Sequence, residues 1–463
     1  MTEQLKLKLN DSKATRWGAL VIVAFTMMAA YYVNDVVAPL KTMLETDLAW
    51  SSTDFGFFTG GYSFLNVFFL MLIWGGLILD RFGIRFTGKL ATILMVGGTA
   101  LEYYAMTGLA GADATLFGIN EIFGYKTGVF VAFAGDSIFG VGAEVAGITV
   151  SKIIAKWFKG KELATAMGVQ VALARIGSQA GYAVAIPLAR AFGISTPVLL
   201  GLVLLLGGMI AFFVFAVMDK KLDKQMEAAA IAAGTEDEEE KFSFKDVKNI
   251  LVNPGFWLIA LLCVLFYSCV FPFQKFASEL MIIKYGINEN VAGTFAGLPA
   301  LGALILTPVF GGFIDKRGKS ASIMLLGSAM LICVHFIYAI PDINYWLVAI
   351  VLMIILGIAF SLVPSAMWPA VAKIFPVSQL GTAYALIFFI QNIGLWGIPT
   401  LIGWVLDAYC ISGKKPDGTN MYDYTVPMCI FTGIACLSLI VALLLKKADK
   451  KYGYKLEEPN IQK

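Results

Sequence analysis

Charge is the scarcest commodity in this sequence. Asp, Glu, Lys and Arg make up 14% of its 463 residues, while 59% are hydrophobic. A soluble globular protein carries about 25% charged residues, so a soluble fold is excluded. Histidine is almost missing: His335 is the only one, and mid-helix it reads as a packed or interhelical hydrogen-bonding residue rather than a ligand. The six cysteines (Cys263, Cys269, Cys333, Cys410, Cys429, Cys436) all fall in the second half with no metal-ligand spacing. No nucleophile motif stands out either. The chain is therefore not expected to be an enzyme, and neither metal nor cofactor is expected. A net charge of +3 is too small to argue for nucleic acid. The charged N-terminal tail has no cleavable signal pattern, so the first apolar run is expected to direct insertion.

What is plentiful is apolar sequence in runs of about 20 residues, each long enough to span a bilayer. About twelve recur, near 17–38, 55–79, 88–109, 128–151, 162–190, 196–218, 252–275, 291–314, 320–340, 346–372, 380–406 and 426–446. The expected fold is an all-α polytopic membrane protein with the lipid bilayer as partner, and the chain is read as a monomer. Lys and Arg cluster before the first run (Lys6, Lys8, Lys13, Arg16) and after every second one (Arg81 and Arg85, Lys152 to Lys161, Lys220 to Lys248, Lys316 to Lys319). The positive-inside rule then puts both termini in the cytoplasm.

Two charges interrupt consecutive apolar runs. Glu144 sits in a glycine-rich stretch, about 12 Å above the inner end of its helix, and Arg175 about 20 Å up the next one, at 1.5 Å per residue. Each costs roughly 3 kcal/mol or more at bilayer depth unless it faces protein, water or ligand. Either the two pair with each other between helices or they hold opposite charges of one ligand. Glu102 and Asp136 are further intramembrane acids. They are candidates for a coupled proton, or for buried partners of a tyrosine or a backbone group.

The chain also repeats itself. Gly76-x-x-x-Asp80-Arg81-x-Gly83-x-Arg85 returns 235 residues on as Gly311-x-x-x-Asp315-Lys316-x-Gly318-Lys319. Glycine there lets helices approach closely, and the charges offer state-dependent contacts at a helix end. Phe158, Leu163, Thr165 and Ala166 match Phe375, Leu380, Thr382 and Ala383, and Arg175-Ile176-Gly177 then falls on Asn392-Ile393-Gly394. The long loop at 111–127 accounts for most of the offset difference. The chain thus reads as two parallel six-helix bundles, residues 1–218 and 251–463, joined by a cytoplasmic linker at 219–250. The acid run Glu236 to Glu240 within it is a solvated segment.

These residues carry a resemblance. The two glycine–aspartate turns and the six-plus-six plan resemble the major facilitator superfamily and imply its fold. WFKGKEL at 157–163, ARIGS at 174–178, VFPF at 270–273, LGTAY at 380–384 and IQN at 390–392 resemble the family of major facilitator superfamily domain-containing protein 1, lysosomal dipeptide uniporters in animals. The resemblance implies that Glu144 and Arg175 recognise a dipeptide. The family pattern puts a basic residue eight positions before the glutamate. This chain has Asp136, which bears on substrate charge preference or proton coupling. The tail has no acidic dileucine signal, so a bacterial inner-membrane relative is expected.

On this reading the substrate is a small zwitterionic peptide. Arg175 offers a planar fork to its carboxylate and Glu144 an acceptor to its ammonium. Gln391 and Asn392, on the helix related by the repeat, supply neutral donors and acceptors to the amide. Tyr32, Tyr62, Tyr267, Tyr384 and Trp368 wall the cavity, each equally readable as ordinary packing or an interfacial anchor. Alternating access would rock one half on the other, with Asp35 and Lys275 closing the outer side or standing as separate headgroup-level charges. Facilitated diffusion and proton coupling both fit. A proton-coupled carrier of a small organic anion is the alternative function.

Overall fold

The computed structural model describes residues 8–111, 114–158, 161–233 and 244–459. Lys6, Lys159, Gly160 and the acid run Glu236 to Glu240 lie outside the described residues. The first stretch folds as α1 (Lys13–Val36), α2 (Lys41–Asp47), α3 (Ser52–Phe68) and α4 (Met71–Thr107). A short antiparallel hairpin, β1 (Glu121–Ile122) and β2 (Tyr125–Lys126), leads into α5 (Thr127–Trp157), α6 (Leu163–Phe192) and α7 (Thr196–Ala233). The second stretch holds α8 (Phe244–Val252), α9 (Pro254–Tyr285), α10 (Glu289–Ala296), α11 (Leu298–Arg317), α12 (Ser320–Ala339), α13 (Trp346–Ile374) and α14 (Val377–Tyr409). A second hairpin, β3 (Ile411–Lys414) and β4 (Asn420–Tyr422), precedes α15 (Thr425–Tyr452).

Local chemistry sets the boundaries. The Ser51 hydroxyl accepts from the Asp54 N–H, and the Asp54 carboxylate accepts back from the Ser51 N–H, which starts α3 with a reciprocal cap. Asn253 caps α9 with Pro254 in the first turn, where a missing N–H costs nothing, and Gly286 at φ +60° ends it. Between α3 and α4 the path bends by 59°. Inside α4 the helix breaks again at Gly83 (φ 74°, ψ 174°), and the equivalent Gly318 (φ 69°) ends α11. Both copies of the turn use a backbone conformation open mainly to glycine.

Among the described residues nine helices are singly long and apolar enough to cross a membrane, and the bent α3–α4 pair makes a tenth. Dividing α4 at Gly83 and counting α6, which carries Arg175 and Gln179 and spans about 45 Å at 1.5 Å per residue, fits the twelve runs read from the sequence. α1 packs between α6 and α7, α5 against α3 and α4, and α9 against α14 and α15. The sequence halves meet where α3 crosses α14 and where α10 and α11 pack on α6.

α7 continues past the sixth apolar run to Ala233, and Asp219, the first residue of the segment read as the linker, is fully buried. Its carboxylate accepts from Trp157 Nε1 at 2.9 Å and Lys156 Nζ at 2.7 Å, with Arg85 3.7 Å away. Two donors at the end of α5, with the Arg85 guanidinium of α4 nearby, satisfy the acid inside the protein. His335 is buried, with Nε2 3.0 Å from the Cys269 carbonyl and its ring stacked on Phe431.

Candidate functional site

One face of α5 presents Asp136, Gly140 and Glu144 at successive i, i+4 steps. All three meet Tyr62 of α3. Its backbone N–H donates to Asp136 Oδ2 at 2.7 Å, and its phenol donates to Glu144 Oε1 at 3.1 Å. Between them a methyl built on Gly140 would lie 2.0 Å from the Tyr62 carbonyl oxygen, so only glycine permits this crossing. Tyr62 is thus held along two turns of its neighbour. Asp136, as one of the two open readings had it, accepts from a backbone group.

Glu102, on α4, is 1% exposed, and its Oε1 has no hydrogen-bond partner among the described residues. It lies beside Gly135: a methyl there would come 2.9 Å from the Glu102 nitrogen and 3.1 Å from its Cγ. Glu102 therefore lies at the α4–α5 contact.

Arg175, on α6, points at helices from both sequence halves. Its guanidinium lies 5.6 Å from the centre of the Tyr31 ring on α1 and 4.8 Å from that of Phe360 on α13, a cation–π arrangement. Tyr31 is in electrostatic reach of Arg175 and Glu144 alike. No ion pair joins Arg175 to Glu144, or to any other acid, among the described residues. Both charges are half-exposed rather than buried, although each is mid-helix.

From Phe360 an aromatic wall continues. Tyr267 lies 6.3 Å from Phe360 and 6.5 Å from Trp368, and Trp368 lies 5.8 Å from Tyr384, whose phenol donates to the Trp368 carbonyl at 3.0 Å. Tyr32 belongs elsewhere: its phenol donates to the Pro197 carbonyl at 3.2 Å and its ring packs on Gly201 of α7. Its neighbour Tyr31 takes the interior place. Gln391 Oε1 accepts from the Cys263 thiol at 3.4 Å. Asn392 donates to its own helix at Phe388 O, 2.9 Å, and its buried Oδ1 has no partner among the described residues.

The face away from the termini is sealed between the halves. Lys275 Nζ donates to the Asn34 carbonyl at 2.5 Å and stands 3.7 Å from Asp35. One turn further along α9 is a cluster with no warning in the sequence. Lys41 is 1% exposed and lies 2.5 Å from both Glu45 Oε1 and Glu279 Oε2. The Tyr424 phenol also donates to Glu279 at 2.5 Å. Lys415, after β3, comes within 3.8 Å of Glu45 and 3.6 Å of Glu279. Alongside, a methyl on Gly56 would fall 2.4 Å from the Pro399 carbonyl oxygen, so α3 and α14 touch backbone to backbone. Arg190 reaches across to Glu289 and Asn290.

At the terminal face the charges of the first turn pair within their own half. Asp80 pairs with Lys152 at 3.1 Å and Arg85 with Asp223 at 2.7 Å, both within the first half. Arg81 lies over the Phe82 ring. Asp315 is half-buried before Gly318. Gly76 and Gly311, expected to bring helices together, face open space. The close approach falls one residue earlier, at Gly75, where a methyl would lie 2.5 Å from Val145. Consecutive helical residues point about 100° apart, so the one facing α5 is chosen by packing.

A chain of long apolar helices that turns a carboxylate and a guanidinium toward its interior, with its two halves joined by buried charges at one face, is a multi-pass membrane protein built around an internal polar site. The chain belongs to the Major Facilitator Superfamily, whose family model matches residues 20–399 and 276–458. It is similar to the lysosomal dipeptide transporter MFSD1 of Homo sapiens, 29% identical over 454 residues that cover 95% of this chain and 88% of that protein. The Danio rerio counterpart is 27% identical, covering 93% and 86%. Among solved structures, a peptide transporter POT in complex with sulfate aligns over 95% of both chains with a TM-score of 0.67 and 15% identity. The nucleoside transporter NupG aligns over 92% of this chain and 99% of its own with a TM-score of 0.68 and 12% identity. At that identity the likeness concerns the fold.

Proposed function

We propose that this chain carries small peptides, dipeptides foremost, across the membrane by alternating access. The observation that carries the reading is that Glu144 and Arg175 face the same interior without pairing with each other. An uncompensated charge at mid-helix depth is costly, and a zwitterion brings the complement to both. Its carboxylate takes the guanidinium fork, and its ammonium takes the Glu144 oxygen that Tyr62 leaves open. Two anchors at a fixed separation measure ligand length and favour a dipeptide. Phe360, Tyr267, Trp368 and Tyr384 supply apolar and amphipathic wall for side chains, and Gln391 and Asn392 supply polar groups for the peptide link.

Movement follows from two halves, 1–218 and 251–463, rocking about this site with 219–250 as linker. The Asp35–Lys275 and Lys41–Glu279 contacts hold one face shut. The turns at Gly76, Asp80, Arg81 and Gly83, and at Asp315 and Gly318, rearrange as the halves rock. The basic clusters favour cytoplasmic termini in a cell membrane, with a bacterial inner membrane as the setting and a monomer as the working unit. The relatives' names support the substrate class. The bare guanidinium keeps a small organic anion as the competing substrate.

The test is uptake of labelled dialanine into proteoliposomes holding the full chain. Wild type equilibrates the dipeptide, and Arg175→Lys, which keeps the charge but loses the fork, weakens its affinity at least about tenfold. Transport of organic anions without transport of any dipeptide would refute the reading.

A further inference from the structure

The two ends of the internal site differ in chemistry. At the carboxylate end the neighbour is a hydroxyl: the Tyr62 phenol donates to Glu144 Oε1. At the guanidinium end the neighbours are rings, Tyr31 at 5.6 Å and Phe360 at 4.8 Å. Phe360 is one corner of a triangle. Its ring centre lies 5.3 Å from that of Phe271 and 6.3 Å from that of Tyr267, and those two stack on each other at 5.5 Å and 5°. Phe360 and Tyr267 are buried, whereas Phe271 keeps accessible surface. That surface looks toward the first half. Tyr267, Phe271 and Lys275 follow one another at i, i+4 steps and share one face of α9. Lys275, at the end of this row, donates to the Asn34 carbonyl of α1 and stands 3.7 Å from Asp35. Tyr31 is one turn before Asp35 on α1, so Phe271 on α9 and Tyr31 on α1 occupy matching levels of two facing helices. All three rings of the triangle come from α9 and α13 in the second half, while both charged anchors come from α5 and α6 in the first.

We propose that Tyr267, Phe271 and Phe360 form the pocket for the side chain of the substrate's C-terminal residue, so that this chain prefers dipeptides ending in an aromatic residue. The proposal rests on the dipeptide reading above and adds the order of the two residues. In any dipeptide the C-terminal side chain leaves the carbon bonded to the carboxylate. A carboxylate seated on the Arg175 fork therefore places that side chain beside the ring nearest the guanidinium, which is Phe360, and in front of Phe271. The N-terminal side chain leaves the carbon that carries the ammonium, held at Glu144, where the nearest group is the Tyr62 hydroxyl. An incoming phenyl ring meets the triangle in the offset and edge-on contacts that aromatic groups favour, at centre separations of about 4.5–7 Å. A methyl in the same place leaves most of that apolar surface uncovered. The wall continues from Tyr267 to Trp368 at 6.5 Å, with Phe388 stacked on Trp368 at 4.8 Å, so the apolar lining extends past the first three rings and accommodates a large side chain. Residue order is thus read by which half of the protein each end of the zwitterion faces.

The test uses the full chain in proteoliposomes and compares uptake of labelled alanyl-phenylalanine with that of labelled phenylalanyl-alanine. The two isomers share composition, mass and net charge and differ only in residue order. Wild type should reach half-saturation with alanyl-phenylalanine at a concentration at least about tenfold lower than with phenylalanyl-alanine, the difference expected from burying a phenyl side chain in one pocket and not in the other. Phe271→Ala should shrink that ratio to below about threefold, chiefly by weakening alanyl-phenylalanine. Equal half-saturation for the two isomers, or a preference for phenylalanyl-alanine, overturns the pocket and leaves the dipeptide reading standing. A Phe271→Ala ratio equal to that of wild type does the same, as does uptake of dialanine with neither isomer taken up. Absence of uptake for all three dipeptides overturns the dipeptide reading and this proposal together. The wild-type comparison needs no variant to fold.

Discussion

Replacing Lys41 by Met should open the sealed face. Lys41 is 1% exposed and bonded to two carboxylates that are themselves buried, Glu45 at 6% and Glu279 at 2%. Met preserves the aliphatic volume and removes the charge. Deleting one member of a buried ion pair typically costs about 3–5 kcal/mol, because the partners are left charged and dry. Lys415 stands 3.6 Å from Glu279 and 3.8 Å from Glu45 and compensates in part, so the expected cost is near the lower end, about 3 kcal/mol. It falls on the sealed state alone, since opening that face lets water reach both acids. At 1.4 kcal/mol per decade, the sealed state then loses about two decades in population. Spin labels at Thr46 and Asp417, both exposed and on opposite sides of the seal, report this by electron–electron distance distributions, which should shift to longer separations in Lys41→Met. The double variant Lys41→Met with Glu45→Met leaves Lys415 facing Glu279, a balanced pair, and should return toward the wild-type distribution. If Lys41→Met leaves the distribution and the melting temperature unchanged, the cluster is not what holds the face shut.

Two further outcomes follow from the packing. Gly56→Val places side-chain atoms where the Pro399 carbonyl and Gly403 already stand, with even a methyl only 2.4 Å from that oxygen, and should likewise shift the spin-label distances outward while leaving helix content intact by circular dichroism. Asp219→Ala strips Trp157 Nε1 of its fully buried acceptor and Lys156 of one of its two carboxylates, Asp223 remaining, and should destabilise the chain by about 1–3 kcal/mol, read as a lower melting temperature in detergent with little change in dialanine affinity.

Much of this molecule was legible in order along the chain. The apolar runs marked the helices because a bilayer demands about 20 residues of them. The glycine–aspartate turns marked a repeat, and Gly83 and Gly318 both adopt positive φ. Glu144 and Arg175 stood out because charge is so rare in such runs. Other features left no such trace. Tyr31 and Tyr32 are adjacent and chemically identical. Packing of α1 against Gly201 decides that Tyr32 turns to α7 and Tyr31 to Arg175. Lys41 reads as a loop lysine after Pro39, and its burial depends on Glu279 and Tyr424, hundreds of residues away. Phe360 is one phenylalanine among thirty-five.

By itself, then, the sequence determined where helices lie and which of their residues are too polar for lipid, because hydropathy and helical rise act locally. Which of those polar groups meet was decided only by the tertiary structure. Glu144 answers to Tyr62, Arg175 lies between Tyr31 and Phe360, and Lys41 links α2 to α9. The reason is that inside a bilayer burial alone does not bring helices together. Close glycine crossings and satisfied charges select the partners, and both depend on residues distant in the chain.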